Sequence, residues 1–344
     1  MKKNRSRIST RIGEGFKQNI IWSEKMILKH REFPLTIEKL EALLLRLPLK
    51  HPKIPIIIED LKKRMAGYRG EEAIDYYLSF LEEKDYYIFH DIRLKGKNHY
   101  FQIDTLILTR KIAIIIEVKN ISGTIYFDPI FKQLIQTKDQ TEKAYQYPLI
   151  QLERQESQLK EWLVNNNLKE MKITSIVVIS NPSTVIRSSP DDQIIHHKVI
   201  RKENLPAKII QLEKSINSPD IEEKELKKIS RKLLKKHTNA DFSILARFKI
   251  NESEILNGVI CSSCNYLPLI RVKANWHCPK CNRKDKQAHI QAIKEYKLLV
   301  KPTISNAEMR YFLNITSPAI ANRLLKSMNL RYTGSNKDRV YQLD

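Results

Sequence analysis

Residues Phe101–Asn120 read FQIDTLILTRKIAIIIEVKN. They form two apolar runs around a polar break at Arg110-Lys111. The second run is almost unbroken Ile, Ala and Val, the composition of a strand buried on both faces. Asp104, Glu117 and Lys119 are set into this apolar frame. Charges are seldom buried without a partner or a metal, so these three need a reason. Side chains alternate faces along a strand, which puts Glu117 and Lys119 on the face of Ile115. A hairpin closing at Arg110-Lys111 sets Asp104 opposite Glu117, with Cβ atoms about 4.5–5.5 Å apart. A one-residue slip would turn Asp104 to the other face. Two carboxylates that close repel each other unless a cation lies between them, and a hard, oxygen-seeking ion such as Mg2+ suits the ligand set.

The rest of the chain says what kind of molecule carries this hairpin. At 344 residues it predicts two or three domains. Sixty-one Lys and Arg against 39 Asp and Glu give a net charge of +22. Such an excess favours a polyanion, nucleic acid first, over a merely solvated surface. No apolar run reaches the roughly 18 residues of a membrane span, and no apolar core follows the basic N-terminus as in a signal peptide. A soluble protein without a membrane partner is expected. All four cysteines lie in two C-x-x-C pairs between Cys261 and Cys281, a metal-site pattern suited to a reducing compartment, so the cytoplasm is expected.

The first 31 residues are strongly basic and include Arg5, Arg7 and Arg11, as either a flexible arm or one that contacts phosphates. A helix is predicted over 36–47, and a longer one over 59–81. In the longer helix Glu71 falls within the apolar stripe of Leu61, Met65, Tyr68, Ile74 and Leu78. Gly67 and Gly70 beside it weaken a helix and imply close approach of a backbone or ligand. Strands are predicted at 89–94, 125–127, 173–180 and 194–200. Residues 140–147 read as helical or irregular. Pro148 opens a helix through Leu163 that carries Gln151 near its start. Alternating strands and helices predict an α/β core with a mixed sheet. Residues 215–236 read as a charged helical connector with a solvated lysine face.

Gly67-x-x-Gly70-Glu71, Gln102-Ile103-Asp104, Ile116-Glu117-Val118-Lys119-Asn120 and Tyr147-Pro148-x-x-Gln151, in this order, resemble the nuclease-related domain, NERD, a family placed in the PD-(D/E)xK nuclease superfamily. The resemblance covers roughly residues 65–165, and Tyr147-Pro148 stands where the family more usually has Asn-Pro. It implies a restriction-endonuclease-like sheet flanked by helices. It also implies that Asp104 and Glu117 bind a catalytic Mg2+, or Mn2+ in its place, at a scissile phosphate. Lys119 would orient the attacking water, Glu71 would complete the acidic site, and Gln151 would position water or phosphate. The expected activity is Mg2+-dependent endonucleolytic hydrolysis of DNA. The alternative is a DNA-binding or regulatory protein that keeps the fold without the chemistry, its Asp-Glu-Lys cluster being only a buried ion pair.

Cys261-x-x-Cys264 and Cys278-x-x-Cys281 offer four thiolates to a tetrahedral Zn2+, which leaves no open position and marks a structural site. Asn265 and Asn282 follow the second cysteine of each pair, where a left-handed residue is tolerated. The segment resembles a zinc ribbon, with a hairpin over 267–276; His277 is a spare ligand that the second pair makes unnecessary. Ser305-Asn306-Ala307-Glu308 reads as a capping box, and Ser317-Pro318 opens a second helix. With a hairpin around Gly334, this C-terminus looks like a winged helix-turn-helix. Asn322, Arg323 and Lys326 would then face a DNA groove, and Lys337 and Arg339 the DNA backbone. A small helical cap with no nucleic-acid role is the plainer alternative. The expected division is 1–58 basic arm and helical extension, 59–214 nuclease-like domain, 215–255 connector, 256–290 zinc ribbon and 297–344 winged helix. Duplex DNA is the expected partner ahead of RNA. A homodimer would bring two such sites to two strands.

Overall fold

The computed structural model describes residues 27–82, 86–217, 219–335 and 338–343. The basic arm with Arg5, Arg7 and Arg11, and Lys337, lie outside the described residues. In chain order the elements begin with β1 (Ile27–Lys29), α1 (Leu35–Arg46), α2 (Ile54–Glu72), α3 (Asp75–Leu78), β2 (Tyr87–Lys95), β3 (Tyr100–Leu108) and β4 (Ile112–Lys119). Then come β5 (Thr124–Asp128), β6 (Gln133–Lys138), β7 (Thr141–Gln146), α4 (Pro148–Asn165), β8 (Lys172–Ile179), β9 (Val185–Ser188), α5 (Gln193–Lys198) and β10 (Val199–Arg201). The remainder is α6 (Leu205–Ser215), α7 (Glu223–Lys236), α8 (Ile244–Phe248), β11 (Ile270–Val272), β12 (Asn275–His277), β13 (Lys284–Asp285) and α9 (Ala288–Leu299). The C-terminus adds β14 (Thr303–Ser305), α10 (Asn306–Leu313), α11 (Pro318–Ser327), β15 (Tyr332–Thr333) and β16 (Val340–Gln342).

The chain divides into two compact units. Of the described residues, one holds 27–33 and Arg64–Ala240; the other holds Pro34–Lys63 and those from Asp241 onward. The first is built on a mixed sheet in the order β1-β2-β3-β4-β8-β10, parallel at β1/β2, β4/β8 and β8/β10 and antiparallel between β2, β3 and β4. As its composition requires, β4 is buried along nearly its whole length. Ala113 and Ile115 pack with Leu152, Leu159, Trp162 and Leu163 of α4. Ile112, Ile114, Ile116 and Val118 pack on the opposite face with α3 and α6. A second sheet, β7-β6-β5-β9, adjoins the first in sequence.

Several sequence expectations need correction. Residues 141–146 form strand β7, whose nearly all-polar sequence TEKAYQ has no buried face to reveal it. Residues 193–198 are a short helix, capped by Asp192 Oδ1 accepting the Ile195 N–H at 3.1 Å, so only Val199–Arg201 is strand. The helix expected over 59–81 starts earlier and is broken, since α2 ends at Glu72 and α3 resumes at Asp75. The charged connector is no connector: Leu226, Ile229 and Leu233 of α7 lie in the core of the first sheet. Residues 35–58, expected as an extension, belong with the C-terminal unit, where Arg46 of α1 is buried against Glu295 of α9 at 2.7 Å. The cysteine-bearing segment and the C-terminal helices, expected as two domains, share one core containing Cys261, Trp276 and Cys278 together with Phe312, Leu325 and Tyr341.

The two glycines expected to admit a close neighbour differ. A Cβ on Gly70 would sit 2.3 Å from Asn120 Cβ and 2.8 Å from Ser180 Oγ, whereas one on Gly67 would meet nothing within 4 Å. Gly67→Ala is therefore expected to raise stability by up to about 1 kcal/mol through helix propensity. Gly70→Ala is expected to lower it by about 1–3 kcal/mol through overpacking. Urea midpoints of the two variants check the opposite signs.

Candidate active site

The ladder between β3 and β4 pairs Leu108 with Ala113, Ile107 with Ile114, Leu106 with Ile115 and Thr105 with Ile116. The hairpin turns at Arg110-Lys111, where Thr109 Oγ1 accepts the N–H groups of Lys111 and Ile112, both at 3.1 Å. One step past Thr105↔Ile116 the register brings Asp104 to Glu117. There the Asp104 carboxylate takes the place of a main-chain acceptor, its Oδ2 receiving the Val118 N–H at 3.0 Å. Among the described residues no donor reaches its other oxygen. Burial, and then the charge of Glu117, push the Asp104 carboxyl up to about 8.

Glu117 is 3% exposed, so its charge must be answered locally. Lys119 Nζ lies 2.6 Å from Oε1, and Gln155 Nε2 donates to Oε2 at 3.0 Å. Lys119 also donates to Gln151 Oε1 at 3.1 Å. Gln155 donates in addition to the Gln102 carbonyl at 3.1 Å, and its own buried Oε1 has no partner among the described residues. Gln151 and Gln155 stand one turn apart on α4, so one helix face serves both ends of the Glu117–Lys119 pair. Sequence reading found Gln151 and missed Gln155; the four-residue spacing was the available signal.

Helix α2 delivers Glu71. Its last turn lies against β4 because Gly70 has no side chain and Asn120 Nδ2 donates to the Ala66 carbonyl at 2.7 Å. Burial raises the Glu71 carboxyl to about 9, with Asp104 and Asp91 adding to the rise and Arg31 opposing it. Arg31, in the segment after β1, is the cation that this region is built around. Its side chain is 4% exposed, and it donates to Glu71 Oε2 at 2.9 Å, to both oxygens of Asp75 at 3.1 and 3.2 Å, and to Thr105 Oγ1 at 3.2 Å. It also meets His90 Nδ1 at 2.9 Å and lies 3.8 Å from Asp91. Read from sequence as part of a basic arm, Arg31 is instead a buried ion-pair centre. Arg31→Met would leave several half-buried carboxylates uncompensated, with an expected stability loss of about 2–3 kcal/mol by urea unfolding.

These side chains can do more than neutralise one another. Asp104 and Glu117 offer oxygens from adjacent strands, a Lys–Gln pair caps one side, and the charge of Asp104 adds to the burial that raises the Glu71 carboxyl. The donor set fits a hard divalent ion, which takes one or two carboxylates and completes its shell with water and phosphate. Glu71 stands apart from this pair, since among the described residues only the four cysteines gather three or more ligand atoms.

Residues 66–180 match the family model of the nuclease-related domain, NERD. The match spans Gly70, Glu71, β2 to β8 and the helix bearing Gln151 and Gln155; Arg31 enters from outside it. No curated protein and no solved structure matches the chain. The NERD match makes a nuclease-like function the leading reading of the acidic hairpin.

A second site is legible in the other unit. Cys261 Sγ lies 3.6 Å from Cys281 Sγ, Cys264 Sγ lies 3.5 Å from Cys278 Sγ, and all four sulfurs fall within 4.8 Å of one another. Tetrahedral Zn–S bonds of about 2.3 Å require S···S separations of roughly 3.8 Å, so the cluster could bind zinc. Each knuckle closes in the same way. The N–H of Asn265 donates to the Cys261 carbonyl and that of Asn282 to the Cys278 carbonyl, with both asparagines left-handed at φ 54° and 58°. Burial pushes the Cys278 thiol up, but N–H groups of Cys281 and Lys280 and the adjacent thiols bring it down to about 7. His277 is not part of the cluster.

Beyond the ribbon, α10 begins with the expected capping box, Ser305 Oγ accepting the Glu308 N–H and Glu308 Oε2 the Ser305 N–H. Ser317 caps α11. Strands β14, β16 and β15 form a small antiparallel sheet beside them. Asn322, Arg323 and Lys326 are exposed on α11, and Arg339 lies over the Tyr332 ring at 4.3 Å. No described helix is long and apolar enough to cross a membrane.

Proposed function

We propose that this chain is a metal-dependent nuclease that hydrolyses phosphodiester bonds in DNA, with a centre of the PD-(D/E)xK type on a restriction-endonuclease-like sheet. The observation that carries the reading is the meeting of Asp104 and Glu117 at the open end of the β3–β4 hairpin. Lys119 stands beside them, bonded to Glu117 and Gln151. Asp104 and Glu117 would hold Mg2+ or Mn2+. When bound, that ion supplies Lewis-acid polarisation of the phosphoryl oxygen and a more acidic water.

The chain's own groups do the rest. Lys119 stands at the edge of the acid pair, where it would hold the attacking water and offset charge gathering on the phosphate. Gln151 fixes the Lys119 ammonium, and Gln155 fixes the Glu117 carboxylate. Glu71, raised to about 9 and bonded to Arg31, would hold a proton near neutral pH beside the acid pair.

The C-terminal unit would bring the substrate. Helix, strand, two capped helices and a hairpin follow the order of a winged helix-turn-helix, with Asn322, Arg323 and Lys326 on the open face of its second capped helix and Arg339 on the wing. Zn2+ at the four cysteines would be structural. The test is activity profiling on supercoiled, linear and single-stranded DNA and on RNA, with Mg2+ or Mn2+ added. Cleavage of duplex DNA that requires added metal is expected; no cleavage of any substrate would contradict the reading.

A further inference from the structure

The unit of residues 34–63 and 241–343 answers most of its buried arginine charge. Arg46 has Glu295 Oε2 at 2.7 Å and the carbonyls of Leu256 and Gly258. Half-buried Arg310 donates to Asn306 Oδ1 at 3.1 Å, whereas Arg339 keeps one buried donor, Nε, without a partner among the described residues. The ordinary requirement is that a buried guanidinium find acceptors.

Arg271 departs from it. It lies on β11, paired across the strand with Trp276 of β12, its guanidinium carbon 4.9 Å from the indole centroid. Its Nη2 donates to the Ala274 carbonyl at 3.3 Å, but Nε and Nη1 are buried and bond nothing among the described residues. Among the described residues no carboxylate pairs with it. Burial, and then the like charge of Arg323 on α11, lower its pKa. His289 adds a third open donor beside the same indole. Its Nδ1 accepts the Trp276 N–H at 3.4 Å, so in the neutral ring Nε2 carries the hydrogen, and Nε2 too is buried and unbonded.

Donors with no acceptor, next to an unpaired arginine on a neighbouring element, are what an oxyanion requires, and a guanidinium fork matches two phosphate oxygens. We infer that Arg271 of the zinc-ribbon segment and Arg323 of α11 form a composite site for a backbone phosphate of duplex DNA. Arg323 is exposed on α11 and Arg271 offers the open donors, so the two would share the anion's charge. The site rests on the reading of DNA as partner and goes beyond it, because it makes the ribbon a contact surface as well as a support. A phosphate contact fixes register and carries no base information, so it acts on all sequences alike.

The experiment is fluorescence anisotropy of the full-length, zinc-loaded protein on a short labelled duplex, without added Mg2+, over a series of NaCl concentrations. Arg271→Gln is expected to bind about tenfold more weakly, the order of a lost hydrogen bond to a charged group. Its salt slope should be shallower by about 0.9, one phosphate's worth of counterion release. Arg271→Lys keeps the charge without the fork, and should bind more weakly at an unchanged slope. Wild-type affinity and slope in both variants would overturn the site. If Arg271→Gln fails to retain zinc, Arg271→Lys decides: weaker binding at unchanged slope supports the site and wild-type binding overturns it. A wild-type protein that binds no duplex overturns the DNA reading itself, an outcome distinct from a binding protein indifferent to Arg271.

Discussion

Replacing Asp104 with asparagine is expected to cut Mg2+-dependent DNA cleavage by about 10²–10³-fold or more, and at the same time to make the metal-free protein more stable. The first effect follows from losing one of two metal-facing carboxylates, a loss at least as large as that of one preorganised charge-stabilising donor. The second follows from linkage. The Asp104 carboxyl stands at about 8 in the folded chain against an ordinary 3.8, raised by burial and by Glu117. An acid whose folded pKa is raised adds nothing to instability below the unfolded value. It destabilises increasingly as pH climbs from about 4 to about 8, because ionisation then favours the unfolded chain. Asparagine keeps an oxygen for the Val118 N–H without that charge. A gain on the order of 1–2 kcal/mol at neutral pH, or a few degrees in Tm, is expected. The wild type should lose stability over the same pH window and recover it when Mg2+ is added at the alkaline end. Thermal melts across pH, with and without Mg2+, read this directly. A variant that melts lower at every pH would contradict the electrostatic account, and one that cleaves at the wild-type rate would contradict the catalytic one.

Cys278→Ser is expected to cost the protein its zinc and, with it, the folded state of the whole C-terminal unit rather than of the ribbon alone. Cys278 is fully buried in the same core as Trp276, Phe312, Leu325 and Tyr341, so opening the knuckles opens that core. Zinc contributes an apparent 10–16 kcal/mol or so to small thiolate sites near neutral pH, as much as the entire stability of an ordinary domain. Limited proteolysis should show cleavage throughout 241–343 while fragments from 64–240 persist, since that unit has cores of its own. Metal analysis should show the zinc absent. A zinc-free variant whose C-terminal unit resists protease would contradict the shared-core account.

What could be read from sequence was whatever sits on one element with a clean period. Asp104, Glu117 and Lys119 lie on two adjacent strands with one short turn between them, so alternation alone brings them together. The cysteine knuckles, their left-handed asparagines and the Ser305 and Ser317 caps are likewise local. Arg31 was out of reach, because its partners Glu71, Asp75, His90 and Thr105 are spread over four later elements, and nothing near Arg31 announces burial. The break between α2 and α3 was hidden because Ile74 and Leu78 continue the helical period across it. Strand β7 was hidden because it is polar on both faces. Helix α7 shows the converse: Leu226, Ile229 and Leu233 do mark one apolar face, but the surrounding lysines made a solvated connector the easier reading.

The central claim is that the acid pair at the open end of the β3–β4 hairpin is a working metal site rather than a buried ion pair. Single-turnover nicking of supercoiled plasmid with Mg2+, comparing zinc-loaded wild type with Glu117→Gln, tests it most directly. Glutamine can still accept from Lys119 but brings no charge to a metal. The account predicts metal-dependent nicking by the wild type and none above background by Glu117→Gln. Equal rates in the two proteins would contradict it.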